Sequence, residues 1–241
     1  MFHALADGSS PISFPPDLFR RGMEQLRAAG FRTLTVADAA RHIREGLRWP
    51  DKSFVITFDD GYASVRDVGF PVLQKLGYRA TVFITAAPGQ TVLEPMNGYP
   101  RLSWQQIREL HAGGVEIGAH TMTHPNLTRL DPAEVNAEAA GCREAIEEQI
   151  GARVVSFAYP YGFENSEVRG RIASHFECAC GVNLGLATHT SDLFALERIE
   201  MYYLRSPQAM SLLTGRGLAP YLALRRFPRQ IRHYFRRATT R

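Results

Sequence analysis

The segment Thr57-Phe58-Asp59-Asp60-Gly61-Tyr62 sets two carboxylates side by side at the end of an apolar run, and His120-Thr121-Met122-Thr123-His124 offers two imidazoles four residues apart. One carboxylate and two imidazoles make a three-donor site for a divalent ion that keeps a coordination position open. The second carboxylate is then free to act as a base. An ion of this kind polarises a carbonyl and acidifies water, so these residues together supply the means of hydrolysing an amide or ester. Each motif has a plainer reading when taken alone. Asp-Asp-Gly is commonly a solvated turn, and His-x-x-x-His can be two neighbours on a helix face. Pro125 and the strand pattern before His120 argue against a helix, which places the pair on a strand-to-loop segment. Tyr159-Pro160-Tyr161-Gly162 alone would be an aromatic turn, although the Tyr161 N–H, after a proline at a strand end, is placed to face such a site. In sequence order, each following a strand pattern, the three motifs are far more specific than any one of them.

The elements that must position these residues alternate along the chain. Apolar β-branched runs over 54–58, 80–85, 115–119 and 154–158 are each followed by a helical pattern, the signature of βα units around a parallel sheet. Helices are expected from Pro15-Pro16 to Gly30, over 36–45, over 63–76 before Gly77, from Ser103 to Gly113-Gly114, from Asp131 to Gly151 and over 164–176. Two further strands are expected over 177–183 and 195–201. Asp59, Asp60, His120 and Tyr161 all fall just after a strand, the end of a parallel barrel where loops carrying chemistry gather.

The chain has 241 residues, 45% hydrophobic and 22% charged, which suits one large α/β domain. The charge is uneven. Residues 201–241 hold nine Arg and no Asp, Glu or Lys, so the net +4 of the chain comes from its end and the body is mildly acidic. That balance and the lack of any nucleic-acid motif argue against a nucleic-acid partner. Cys142, Cys178 and Cys180 have neither even number nor CxxC spacing, so they read as buried side chains in a reducing compartment. No apolar segment is long enough to span a bilayer. The opening Met1-Phe2-His3-Ala4-Leu5-Ala6-Asp7-Gly8 has no signal-peptide pattern, which gives a cytoplasmic expectation.

Thr57-Phe58-Asp59-Asp60-Gly61, His120-Thr121-Met122-Thr123-His124 and Pro160-Tyr161-Gly162 resemble the three leading motifs of the polysaccharide deacetylases, the carbohydrate esterase 4 group built on the NodB homology domain. The resemblance covers residues 50–200. It implies an α/β fold, a distorted (β/α) barrel with seven or so parallel strands rather than eight regular repeats. It also implies a divalent metal, most commonly Zn2+, held by Asp60, His120 and His124, with Asp59 as general base and the Tyr161 amide in the oxyanion hole. Thr121 would steady the histidine loop. Met1-Phe2-His3 is similar to the Tyr-His opening of exopolysaccharide-locus members, which gives His3 a supporting role.

Three features depart from the family pattern. The Arg that pairs with the catalytic Asp two residues before the third-motif proline is replaced by Ala158, and Arg198 is the candidate to supply that cation from a later strand. The tryptophan motif is absent, since Trp49 and Trp104 come too early. The Leu-x-x-His motif of the general acid is also absent; His189 is the candidate in its place, with His175 second. The domain reading is a catalytic barrel over 1–205 and a basic amphipathic tail over 206–241. Its arginines interleave with Leu218, Tyr221, Leu222, Leu224, Phe227, Ile231, Tyr234 and Phe235, a pattern suited to peripheral contact with the inner face of an anionic membrane. The expected activity is metal-dependent removal of the N-acetyl group of an amino sugar, in a polysaccharide or its lipid-linked precursor. The alternatives are a deformylase or cyclic-amide hydrolase on the same barrel, and an inactive carbohydrate-binding or scaffold protein.

Overall fold

A computed structural model describes residues 1–86 and 96–226. The chain opens with two short parallel strands, β1 (Ala4–Leu5) and β2 (Ser13–Phe14), and helix α1 (Pro16–Ala28). Pro16 stands at the start of α1, where a missing N–H costs nothing, and Leu18, Phe19, Met23 and Leu26 form the buried stripe of the helix. Next come β3 (Arg32–Leu34), α2 (Val36–Arg44), β4 (Ser53–Val55) and β5 (Thr57–Phe58). The apolar run over 54–58, expected as one strand, serves two sheets. β4 pairs with β3 in a small parallel sheet, while β5 pairs with β6 (Thr81–Ile84) in the main one. An apolar run carries no mark of where a strand changes partner.

The helix expected over 63–76 forms in two pieces, a π-helical turn over Val65–Gly69 and then α3 (Phe70–Leu76). Pro71 offers no N–H to the turn before it and its ring crowds that turn, which favours the wider winding. The remaining elements are α4 (Trp104–Ala112), β7 (Glu116–Ala119), α5 (Pro132–Ile150), β8 (Ser156–Ala158), α6 (Ser166–Ala173), β9 (Cys178–Leu184), β10 (Leu196–Arg198) and α7 (Pro207–Met210). Thr35, Ser103 and Asp131 each complete a reciprocal capping box, with Asp38, Gln106 and Glu134, which fixes where α2, α4 and α5 begin. Helix α6 starts later than expected because Asn165 caps it through the Val168 amide.

The main sheet has six parallel strands in the order β10-β9-β8-β7-β6-β5. It curls until its two edge strands face each other, and residues 1 and 2 lie between them. The Phe2 amide donates to the Thr57 carbonyl at 2.8 Å and the Phe2 carbonyl accepts from the Asp59 amide at 3.0 Å. On the other side, Met1 N donates to the Ile199 carbonyl at 2.8 Å, and the Met1 carbonyl accepts from the Met201 amide at 3.1 Å. This short segment closes the barrel in place of a seventh strand. Phe2 stacks on Phe58 and meets Phe14 and Phe19 edge-on beside it in the core.

At the opposite end of the strands, Glu116 accepts from Ser156 Oγ at 2.6 Å, from Thr81 Oγ1 at 2.8 Å and from the Ala37 amide at 3.1 Å. The start of α2 is thereby pinned beneath the barrel. Residues 206–226, the described part of the expected tail, continue the fold. Met210 is buried against Gly22 of α1, Leu222 is buried, and the Tyr221 hydroxyl donates to the Tyr203 carbonyl at 2.6 Å. Phe227, Ile231, Tyr234, Phe235 and most of the tail arginines lie outside the described residues. Among the described residues no helix is long and apolar enough to cross a membrane.

Candidate active site

Asp59 and Asp60 leave β5, His120 leaves β7, and Tyr161 leaves β8, so three strands of the one parallel sheet deliver their side chains to one end of the barrel. Asp60 takes a left-handed backbone, φ 70°, which turns its side chain away from that of Asp59. The Asp60 carbonyl accepts from Arg101 Nε at 2.9 Å, and Arg101 Nη2 also bonds Thr85 Oγ1. The ligating atoms of Asp60, His120 and His124 all lie within 4.8 Å of one another. His120 Nε2 is 3.4 Å and His124 Nε2 3.3 Å from Asp60 Oδ1. His120 Nδ1–H donates to the Ala158 carbonyl at 2.7 Å, which leaves the Nε2 lone pair facing the cluster. Two imidazoles with free lone pairs converging on one carboxylate fit a divalent ion, and this set is the one such group among the described residues.

The electrostatics agree with that reading. Burial pushes the Asp60 carboxyl up, but the adjacent His120 and His124 imidazoles outweigh it and hold the group well below its ordinary 3.8. Burial lowers the His124 imidazole, against the pull of Asp60, and so favours the neutral form that a metal requires. The 120–124 segment turns tightly, with left-handed residues at Thr121 (φ 71°) and His124 (φ 62°). The Thr121 hydroxyl accepts from the His124 amide at 3.0 Å.

Asp59 sits in a different setting. Arg198 grips it through both carboxylate oxygens, Nη1 to Oδ1 at 2.7 Å and Nη2 to Oδ2 at 2.8 Å. Its Nε donates to the Gly181 carbonyl at 2.9 Å, and its guanidinium lies 5.7 Å from the Phe83 ring centre. Both members of the pair are buried. Burial would raise the Asp59 carboxyl, but Arg198, His120 and His3 outweigh it and hold the group below its ordinary value. Because Arg198 lies on β10 and Asp59 follows β5, the ion pair spans the gap between the two edges of the sheet.

Tyr161 sits at φ 57° on a tight turn in which the Gly162 amide bonds the Tyr159 carbonyl at 2.9 Å and the Phe163 amide bonds the Pro160 carbonyl at 3.2 Å. Gly162 is required there: its φ is 68°, and a Cβ would come within 2.1 Å of Val182. The Tyr161 ring is exposed and packs edge-on to His124, 4.6 Å between centres.

The structure therefore brings Asp59, Asp60, His120, His124, Tyr161 and Arg198 together and leaves His189 outside. His189 is exposed on the loop after β9, its ring 5.3 Å from Trp49, which in turn stacks on His42. That aromatic contact draws the loop toward the end of α2. His175 is likewise away from the cluster, its Nε2 3.2 Å from Asn136 Oδ1. His3 follows the barrel-closing segment and acts electrostatically on both Asp59 and Asp60, a closer part than sequence suggested. Arg101 carried no signal in the sequence; Pro100 before it marks only a loop.

A family model for polysaccharide deacetylase matches residues 47–176, more than half of the chain. The chain belongs to the polysaccharide deacetylase family. Membership places it among the hydrolases of non-peptide carbon–nitrogen bonds. The matched stretch contains Asp59, Asp60, His120, His124 and Tyr161 but stops short of Arg198. The putative polysaccharide deacetylase YxkH of Bacillus subtilis is 26% identical over 202 residues, 83% of this chain and 70% of that protein. The poly-beta-1,6-N-acetyl-D-glucosamine N-deacetylase of Escherichia coli K12 is 32% identical over 122 residues, 46% of this chain and 18% of that protein. Two solved deacetylase-fold structures extend the likeness to the architecture. The Streptococcus pyogenes deacetylase PplD superposes with a TM-score of 0.74 at 24% identity, over 82% of this chain and 88% of that one. IcaB from Ammonifex degensii superposes with a TM-score of 0.75 at 23% identity, over 89% and 95%.

Proposed function

We propose that this polysaccharide deacetylase removes the N-acetyl group from an amino sugar, in a polysaccharide or its lipid-linked precursor, with a divalent ion, most simply Zn2+, held by Asp60, His120 and His124. The observation that carries the reading is the convergence of those three side chains beside a separately held carboxylate. When bound, such an ion polarises the amide carbonyl and acidifies water. Asp59 is the general base. Its ion pair with Arg198 keeps it charged throughout the neutral range and fixes both of its oxygens, so Arg198 is its positioning residue. The Tyr161 amide, on its constrained turn, donates to the oxyanion that forms at the attacked carbonyl. His3, rather than His189, is assigned as the group that returns a proton to the leaving amine, because it directly follows Phe2, whose carbonyl accepts from the Asp59 amide at 3.0 Å, whereas His189 stands beside Trp49 on the loop after β9. The relatives named for N-acetylglucosamine polymers, from Escherichia coli and Listeria monocytogenes, support the choice of an N-acetylated sugar.

The test is acetate release by the metal-replete protein over a series of N-acetylated glycans and lipid-linked amino sugars. Acetate from one of them, lost on removal of the ion and restored by Zn2+, is the expected result. Release of formate or of a ring-opened acid instead would favour the deformylase or cyclic-amide reading. Binding without turnover would favour the scaffold.

A further inference from the structure

The two central residues of the histidine segment are held from outside the site. Glu138, on α5 and half-buried, accepts from the Met122 amide at 2.8 Å and the Thr123 amide at 2.9 Å through Oε2, and from Thr123 Oγ1 at 2.6 Å through Oε1. None of these contacts is local, since Glu138 lies 14 residues beyond His124 on a separate element. We propose that Glu138 is a positioning residue for the metal ligands: it clamps the 120–124 segment in the shape that aims both imidazoles at Asp60, and so sets the affinity of the site for a divalent ion. The inference rests on the metal reading above.

The need for a clamp follows from the backbone. Thr121 and His124 both take the left-handed region, φ 71° and 62°. For residues with a Cβ each such conformation costs on the order of 1 kcal/mol or more and persists only when the surroundings over-determine it. The Thr121 hydroxyl binds the His124 amide and closes the turn from within. That bond leaves the Met122 and Thr123 amides pointing outward together, a concave pair of donors suited to an anion. Glu138 supplies the anion, and bonds from N–H groups to a carboxylate are stronger than neutral ones. Packing supports the same alignment. Met122 lies over Gly141, where an added Cβ would stand 3.4 Å from its sulfur. Released from Glu138, the segment can relax toward ordinary backbone angles. His124, which unlike His120 has no described bond from its second ring nitrogen, would then swing from Asp60 first.

The experiment compares the full-length chain and its Glu138→Ala and Glu138→Gln variants, stripped of metal and titrated with Zn2+ against a chromophoric chelator. Loss of an outer partner of this kind weakens metal binding about ten- to a hundredfold, and that is expected of Glu138→Ala. Glu138→Gln keeps one acceptor oxygen, so a loss well under that of the alanine variant is expected. Thermal melts of the stripped proteins give the second readout. A purely structural glutamate would lower the melting temperature and leave the Zn2+ affinity of the folded fraction unchanged. If Glu138→Ala does not fold, hydrogen exchange of the wild type carries the test: the Met122 and Thr123 amides should be protected, and both should exchange faster in Glu138→Gln. Wild-type Zn2+ affinity in the folded variants, or unprotected amides, overturns the inference. A wild-type chain that binds no divalent ion overturns the metal reading itself, a different result.

Discussion

Asp59 and Asp60 are neighbours in the chain but belong to two different regions of the site. Asp59 is locked by a bidentate pair with Arg198 across the closing seam of the barrel, with both oxygens taken. Asp60 faces two imidazoles whose Nε2 atoms stand 3.3 and 3.4 Å from one oxygen. The first region is electrically complete. The second gathers one carboxylate and two imidazoles, a donor set suited to a divalent ion. A single left-handed residue, Asp60, divides the two. The same residue type therefore does two jobs one position apart, because the strand end aims one side chain at the seam and the next at the histidine segment after β7.

The largest effects should come from removing the base or a metal donor, and metal content should tell the two apart. Asp59→Asn should retain Zn2+ and lose acetate release by roughly 100- to 10,000-fold, the range attributable to a positioned base. His124→Ala should lose the ion and the activity together. Elemental analysis beside the kinetics reads both. Retained turnover in Asp59→Asn would break the division of labour proposed here.

Arg198→Met attacks the comparison from the seam. It leaves the buried Asp59 charge unpaired, which should destabilise the protein by about 3–5 kcal/mol in a denaturant melt. The Asp59 carboxyl should rise in the variant, moving the acidic limb of the pH–rate profile upward. If stability and the acidic limb both stay in place, Arg198 does not hold Asp59 in solution.

How far the sequence carried this site follows from how local each signal is. The aspartates and histidines are legible because two short motifs fix them beside strand ends, and Pro125 excludes the helical alternative for the second. The alternating βα pattern locates all six strands of the main sheet and the starts of α2, α4 and α5, whose capping boxes are written in the chain. The change of partner at Ile56 was hidden, because one apolar run looks alike whether it serves one sheet or two. Glu138 was hidden too. A glutamate on a long amphipathic helix reads as solvated, and only the tertiary fold brings the Met122 and Thr123 amides to it. His189 is suggested only by its place in the chain, whereas the imidazole next to the Asp59 strand end comes with the segment that closes the barrel at that same seam.

Acid should act on the two regions of the metal-free chain at different pH. The folded His124 imidazole is depressed below its ordinary 6.5, so its stabilising contribution is full above that value and is lost as pH falls through its lower folded value. Asp59 and Asp60 are depressed below 3.8, so theirs persists to that pH and is lost only beneath it. The stability that the neutral His124 adds to the stripped protein should therefore fade as pH falls below 6.5, and a steeper decline should follow below 3.8. Below 6.5 the wild type should lose melting temperature relative to His124→Ala, while both keep the steeper decline.

The smallest expected effect separates the two candidate proton donors. His189→Ala should change acetate release by no more than about twofold, since an exposed side chain away from the cluster falls in the class of near-neutral surface substitutions. His3→Ala should cost about 100-fold or more if His3 passes the proton to the leaving amine. The pH–rate profile adds a check that does not depend on magnitude. Loss of the acid flattens the basic limb of the bell, whereas a merely structural loss lowers the whole curve without changing its shape. A flattened basic limb in His189→Ala, with His3→Ala unaffected, would return the role to the loop after β9 and require that loop to swing from Trp49 to the metal ligands during turnover.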